Sequence, residues 1–287
     1  MYRHSRLRRI LARAVYREFT QPKHTRNIPL LSSAVKLGAN EPPLDAIYGG
    51  GMTVGLASLF TTMAAATPTT TYWTPAAMDI QAPGVWHVTY DSYFTVGRKG
   101  PGNGGESFPT DMGLTYGLRI SDKVLAEAGF DVLEPTDHPL HFNAKVGYPE
   151  GALGARAPAI QIAIFNVGTR RGVTNQNVVH LIVGKTLPRR MGRVHVSFYR
   201  GNGDCLRSST GEVENTGFMV AYDRWLVPGR FMLAADYASG KNPIGGGGFG
   251  LYTFFNKDID LLVGPVWFND RGINGKMKWT AQLDINF

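Results

Sequence analysis

The end of the chain constrains the fold most. Trp279, Ala281, Leu283, Ile285 and Phe287 fall on one face of an extended segment, and Lys278, Thr280, Gln282, Asp284 and Asn286 fall on the other. Side chains alternate across a β-strand, so this segment has one apolar and one wet face. Its length is what a tilted strand needs to cross a bilayer. The pattern recurs at 111–120, where Met112, Leu114, Tyr116, Leu118 and Ile120 oppose Asp111, Gly113, Thr115, Gly117 and Arg119. It recurs again at 140–148, where Leu140, Phe142, Ala144, Val146 and Tyr148 oppose His141, Asn143, Lys145 and Gly147.

Extending the reading predicts twelve strands, at 84–96, 111–120, 124–133, 140–148, 158–167, 177–186, 192–200, 216–226, 230–238, 247–255, 259–268 and 277–287. The fifth, sixth and eleventh alternate poorly, and Pro265 is awkward inside a ladder because it has no N–H. Ser121-Asp122-Lys123, Val227-Pro228-Gly229 and Asn256-Lys257-Asp258 read as tight turns on one side of the sheet. The longer connections 97–110, 168–176, 201–215, 239–246 and 269–276 fall on the other; 134–139 and 149–157 break the rule by length. Short turns on one side and long loops on the other are the asymmetry of a transmembrane barrel. The last tight turn also fixes register: Phe255 should oppose Ile259, Thr253 Leu261 and Leu251 Val263, bringing like faces together. Aromatics gather near strand ends, with Trp86, Tyr148, Phe255 and Phe287 at one rim and Tyr237, Phe249, Trp267 and Trp279 at the other. Such belts suit an interface where a ring is half wet. The expectation is an all-β, antiparallel, up-and-down transmembrane barrel over 84–287. The competing fold is a soluble barrel or sandwich, which would also alternate but would turn its apolar face inward.

The mean hydropathy is slightly below zero, and there is no apolar run of the roughly eighteen residues a helical span requires. Of the thirty Lys and Arg residues, nine precede residue 67, against only Glu18, Glu41 and Asp45; the remainder carries twenty-one basic and nineteen acidic residues. The overall positive charge therefore belongs to the N-terminal segment and gives the body no case for a nucleic-acid partner. The single Cys205 excludes an internal disulfide and a thiolate zinc site.

Residues 52–66, MTVGLASLFTTMAAA, have the apolar core of a secretory signal, and Ala64-Ala65-Ala66 fits the small-x-small cleavage pattern, placing a mature start near Thr67. The basic flank expected just upstream is missing. Residues 1–51 then read as a spurious upstream extension or an unusually long leader. Arg3, Arg6, Arg8, Arg9, Arg13 and Arg17 also fit a mitochondrial transit peptide, and residues 5–19 an amphipathic helix. Residues 1–66 are set aside as a leader. Residues 67–83, rich in Thr, Pro and Ala, read as a periplasmic lead-in or as a strap entering the barrel.

The ending Trp279-Thr280-Ala281-Gln282-Leu283-Asp284-Ile285-Asn286-Phe287 resembles the C-terminal strand of bacterial outer-membrane β-barrel proteins. That resemblance implies a bacterial outer-membrane location, contact with outer-membrane lipids and lipopolysaccharide, and recognition of Phe287 by the barrel-assembly machinery. It covers architecture only and selects no subfamily; it implies no cofactor.

On this reading the polar face lines a lumen. The candidate pore-lining residues are Asp91, Asp111, Arg119, Glu127, Asp131, Lys145, Arg193, His195, Asp223, Asp236, Asp260, Lys278 and Asp284, with His87, His141 and His180 on the same face. Charges in a confined pore set its field; the alternative is that they pair across strands and fill a narrow barrel. Arg119 lies diagonal to Glu127 and within reach of it. His195-Val196-Ser197 places an imidazole and a hydroxyl on one face, similar to the His-x-Ser pair of outer-membrane phospholipase A. Here the pair points into the lumen, and no third partner is identifiable. Gly245, Gly247 and Gly250 match GxGxxG, but a strand follows them rather than the helix a phosphate site needs. His138 and His141 lack a third metal ligand. Arg98, Lys99, Arg170, Arg171, Arg207 and Arg271 fall in long loops, where they would meet lipopolysaccharide phosphates or water. Three functions stay open: a passive channel for small polar solutes, an outer-membrane lipid hydrolase, and a closed structural barrel.

Overall fold

The structure, a computed structural model, describes residues 69–97 and 108–287. Twelve antiparallel strands close into one barrel in which each pairs with its chain neighbours and the first pairs with the last. They are β1 (Trp86–Phe94), β2 (Thr110–Arg119), β3 (Leu125–Glu134), β4 (Leu140–Tyr148), β5 (Ala159–Gly168), β6 (Asn175–Thr186), β7 (Arg193–Arg200), β8 (Thr216–Val227), β9 (Phe231–Ala238), β10 (Gly246–Phe254), β11 (Ile259–Phe268) and β12 (Lys278–Asn286). A single turn of helix, α1 (Arg271–Asn274), follows β11. No helix among the described residues is long and apolar enough to cross a membrane.

The alternation sorts as the strand period demands. In β12 Lys278, Thr280, Gln282 and Asp284 are buried, facing inward, and Trp279, Ala281, Leu283 and Ile285 are half-exposed on the outside. Outward positions elsewhere carry Ile162, Leu181, Phe198 and Phe249, each about half exposed or more. An outside of this chemistry belongs in hydrocarbon, and the inside holds the polar groups. That is the inverse of a soluble barrel. Leu251 opposes Val263 and Thr253 opposes Leu261, as the Asn256-Lys257-Asp258 turn requires; Phe255 N donates to Ile259 O at 2.9 Å. Opposite Pro265 and Gly264 the β10–β11 ladder is interrupted between Gly248 and Leu251, because proline has no N–H to give. The carboxyl end seals the seam: Trp86 N donates to Phe287 O at 2.9 Å and Phe287 N to Trp86 O at 3.0 Å.

Strands β5, β6 and β11 alternate poorly for a reason the barrel makes plain. Their inward positions are partly apolar, with Ala159, Ala163 and Phe165, then Val178 and Ile182, then Leu262 and Val266 all buried. These residues pack against a segment inside the lumen. One cluster joins Ala76 to Phe165, Val178, Tyr199, Met219 and Ala238; another joins Tyr72 to Met232, Tyr252, Leu262 and Val266. Residues 69–82 thus run along inward-facing side chains as a strap. Register also shifts within the β5–β6 pair between Phe165 and Val167, where Asn166 takes a φ of 53°. Such a bulge breaks the period of two.

The glycine run of β10 has a packing role. A Cβ on Gly248 or Gly250 would collide with the Tyr72 ring, and one on Gly117 with the Ala82 carbonyl. The helix a phosphate loop requires is absent, since Gly246–Phe254 is strand.

Candidate functional site in the lumen

The inward charges divide by what they meet. Glu127, on β3, holds the neck of the strap. Its carboxylate accepts from Thr69 N at 2.9 Å, Thr69 Oγ1 at 2.6 Å and Gln81 N at 2.6 Å. Two strap residues twelve apart in sequence therefore share one carboxylate, which closes the segment into a loop. Lys145, opposite Glu127 on β4, approaches it at 3.3 Å with both side chains fully buried. Its ammonium also donates to Thr69 O at 3.0 Å and Asp79 O at 2.9 Å. Arg119, diagonal to Glu127 as expected, is exposed at the barrel end. It makes no ion pair with Glu127, because Lys145 and the strap already occupy that carboxylate.

Asp236, near the far end of β9, receives the strap's bend. Tyr72 N, Trp73 N and Thr74 N all donate to its Oδ2, at 3.0, 2.8 and 2.7 Å. Arg193 forks onto Asp223 through Nε at 2.8 Å and Nη2 at 3.0 Å, and reaches strap residue Asp79 through Nη1 at 2.8 Å. His195 joins the same group, with Nε2 2.9 Å from Asp223 Oδ2 and Nδ1 accepting from Met78 N at 2.9 Å. Charge-assisted hydrogen bonds are strong in a low-dielectric lumen; five of the thirteen candidates thus hold the strap, and a sixth, Asp223, holds two of those five.

His195 does not address Ser197. The serine hydroxyl instead lies 2.9 Å from His180 Nδ1, and His195, Ser197 and His180 are all buried. Among the described residues His195 and Ser197 form no base–nucleophile pair on an accessible surface. His87 lies 3.3 Å from Asp284, which stands directly opposite Asp260, near the end where the chain terminates. Among the described residues no group of three His, Cys, Asp or Glu side chains is placed to hold a metal.

The remaining four candidates, Asp91, Asp111, Asp131 and Lys278, share another part of the lumen, where Asp131 accepts from Asn143 Nδ2 at 2.8 Å and Lys278 donates to Thr95 Oγ1 at 3.5 Å. They line a cavity of ≈ 690 Å³ between the strap's bend and the loops of the far end. Its walls include Trp73, Tyr93 and Phe108, and α1 lies at its mouth. The loop 201–215 is tied there to α1, with Ser209 N donating to Asp270 Oδ2 at 2.8 Å. That bond, together with one from Gly272 N, holds the exposed Asp270 carboxyl below its usual range. Of the basic loop residues, Arg98 and Lys99 lie outside the described residues, as does the whole leader. Arg170, Arg171, Arg207 and Arg271 are exposed.

The sequence offered no way to single out Gln161, Tyr252 and Gln282. Gln161 Nε2 donates to Met78 O, Tyr252 Oη to Thr71 O at 3.1 Å, and Gln282 Nε2 to Tyr72 O at 3.1 Å. Their only trace was a polar or aromatic residue on the inward face.

Fold and lumen together define a transmembrane antiparallel β-barrel with an internal strap. No protein-family model matches the chain, and no curated protein does. Solved structures similar to the chain include an outer-membrane channel from Pseudomonas putida F1, with 12% identity, covering 75% of this chain and 99% of that one at a TM-score of 0.42. They also include the NanC porin, with 7% identity, 70% and 98% coverage and a TM-score of 0.47. A third is the KdgM porin, with 8% identity, 71% and 99% coverage and a TM-score of 0.45.

Proposed function

We propose that this chain is a bacterial outer-membrane channel for passive passage of small polar solutes, narrowed by the strap of residues 69–82. The carrying observation is the inverted barrel: an apolar outside around a lumen of charged side chains that keeps a cavity of ≈ 690 Å³. Both ends of the mature chain face the periplasm on this reading, and the long loops face outward. The leader ends at Ala66, with residues 52–66 as its signal. Phe287 serves the barrel-assembly machinery, and Arg170, Arg171, Arg207 and Arg271 meet lipopolysaccharide phosphates. The pore-lining roles of the thirteen lumen residues belong to the same proposal, the strap-bound ones forming the constriction.

A closed structural barrel is the second reading, favoured by the number of bonds that seat the strap. Swelling of proteoliposomes in small uncharged and charged solutes separates the two. Swelling that falls steeply with solute size supports the channel; none from demonstrably folded barrel supports the closed form.

A further inference from the structure

We propose that the outer face of the barrel at β8, beside the turn 187–192, binds the headgroup of an anionic phospholipid from the leaflet on the short-turn side. The inference rests on the membrane-spanning barrel and not on conduction.

The outer face is nearly free of charge. Among the described residues its strands carry charged side chains at four outward positions. Glu134 and Arg200 are the last residues of β3 and β7. Lys185 on β6 pairs with Glu150 at 2.8 Å. Arg224 on β8 differs from these. It lies within the strand and exposed, between Tyr222 and Leu226 on the same face, with Leu233 directly opposite on β9. Its guanidinium has no ion-pair partner among the described residues. A charge on the lipid face of a transmembrane strand is costly at the bilayer centre and tolerated near the interface. Arg224 stands three residues before the end of β8 at Val227, roughly 10 Å of extended chain, so its long side chain reaches the headgroup level. A lipid phosphate there supplies the counter-charge that the protein does not.

The neighbouring turn completes the site. Tyr222 Oη donates to Met191 O at 2.8 Å, which folds the turn 187–192 against this face. Gly192 permits the approach: it has a φ of 89°, and a Cβ there would lie 3.0 Å from both the Tyr222 ring and Arg224 Cβ. The turn carries Arg189 and Arg190, both exposed, at φ of 56° and 58°, a region that Gly and Asn favour over arginine. The next turn brings Arg230, whose guanidinium lies 5.5 Å from the Phe231 ring. The hairpin ends 186–194 and 222–231 contain one acid, Asp223, which is buried inside and forked by Arg193. Outside, Glu150 accepts from Lys185 and from Thr186. Arginines without carboxylate partners, beside a tyrosine and apolar side chains, suit a phosphate at the head of an acyl chain. Guanidinium groups fork onto phosphate, and basic clusters at a membrane surface select anionic lipid. Short turns mark the periplasmic side, away from the lipopolysaccharide leaflet, so the ligand is a phospholipid.

The test is native mass spectrometry of the folded, delipidated protein in dodecyl maltoside, titrated with phosphatidylglycerol, phosphatidylcholine or lipid A. The first phosphatidylglycerol should bind at least tenfold more tightly than the first phosphatidylcholine, and more tightly than lipid A. Arg224→Gln should weaken it at least fivefold, and Arg189→Gln with Arg190→Gln several-fold. Arg200→Gln, which removes an outward arginine at the opposite rim, should leave it unchanged. Heat-modifiable gel migration identifies the variants that fold, and the turn variant carries the test if Arg224→Gln does not. Equal binding of the two phospholipids, tighter binding of lipid A, or an Arg200 effect as large as that of Arg224 would each overturn the proposal. So would folded Arg224→Gln or turn variants that bind as the unaltered protein does. Binding in detergent requires no transport, so a barrel that holds the lipid but does not conduct defeats the channel reading alone. One that conducts without selecting the anionic lipid defeats this inference alone.

Discussion

Glu127→Ala should release the strap. The carboxylate accepts three strap bonds, from Thr69 N, Thr69 Oγ1 and Gln81 N, and it is the ion-pair partner of Lys145, fully buried beside it. Removing one member of a buried pair typically costs about 3–5 kcal/mol, because the other charge stays buried and uncompensated. Most of that cost falls on the seated state, since the barrel wall persists when the strap leaves. The ratio of seated to released strap should then fall by roughly a hundredfold to a few thousandfold. Thr70→Cys, introduced with Cys205→Ser, reports the change: Thr70 is buried, and its labelling by a water-soluble thiol reagent should accelerate in the Glu127→Ala background. Adding Lys145→Met removes the uncompensated charge but also the bonds to Thr69 O and Asp79 O, so the double variant should stay loosened yet be less impaired than the sum of the two singles. Unchanged labelling in a folded Glu127→Ala barrel, or a double variant as impaired as the sum of the singles, would refute the pinning argument.

Asp236→Asn should loosen the bend of the strap, since three main-chain N–H groups converge on one oxygen. Loss of the charge should cost about 1–3 kcal/mol, read as faster labelling of a cysteine at Thr74. Deleting Phe287 removes the two hydrogen bonds that close the seam against Trp86, and the heat-modifiable folded fraction in cells should drop sharply; an unchanged yield would remove Phe287 from the assembly role. Cys205 lies in the loop 201–215, and burial followed by the nearby Asp204 raises its thiol above the usual range. Its thiolate fraction is therefore small at neutral pH, and labelling on intact cells should be slow at pH 7 and climb with pH beyond the point where an ordinary thiol levels off. Labelling only after lysis would reverse the proposed topology.

The strands were legible because their two faces meet different solvents. Residues 111–120 and 278–287 show this plainly. Legibility failed where the inside is not wet. Phe165, Val178, Ile182 and Leu262 face inward yet are apolar, because Tyr72 and Ala76 pack against that side. The weak alternation of β5, β6 and β11 was thus the imprint of the strap, and the Thr- and Pro-rich composition of 67–83 gave no register to connect the two. The inward direction of the charges was readable from period alone. Their division into strap anchors and open-cavity acids was not, since Glu127 and Asp91 differ only in what a distant segment brings to them. Arg119 sits on the same face as Glu127, but the strand ends there, and its side chain reaches water instead.

Single-channel recording in planar bilayers, with the strap intact and under a salt gradient, tests the channel account most directly. Eight acids against four bases on the proposed lining give a confined pore a negative field, weakened by the Glu127–Lys145 and Asp223–Arg193 pairs. The account predicts small conductance steps with a weak preference for cations that fades as salt rises and screens the lining. A clear preference for anions would contradict the charge assignment, and silence from demonstrably folded barrels would contradict the channel.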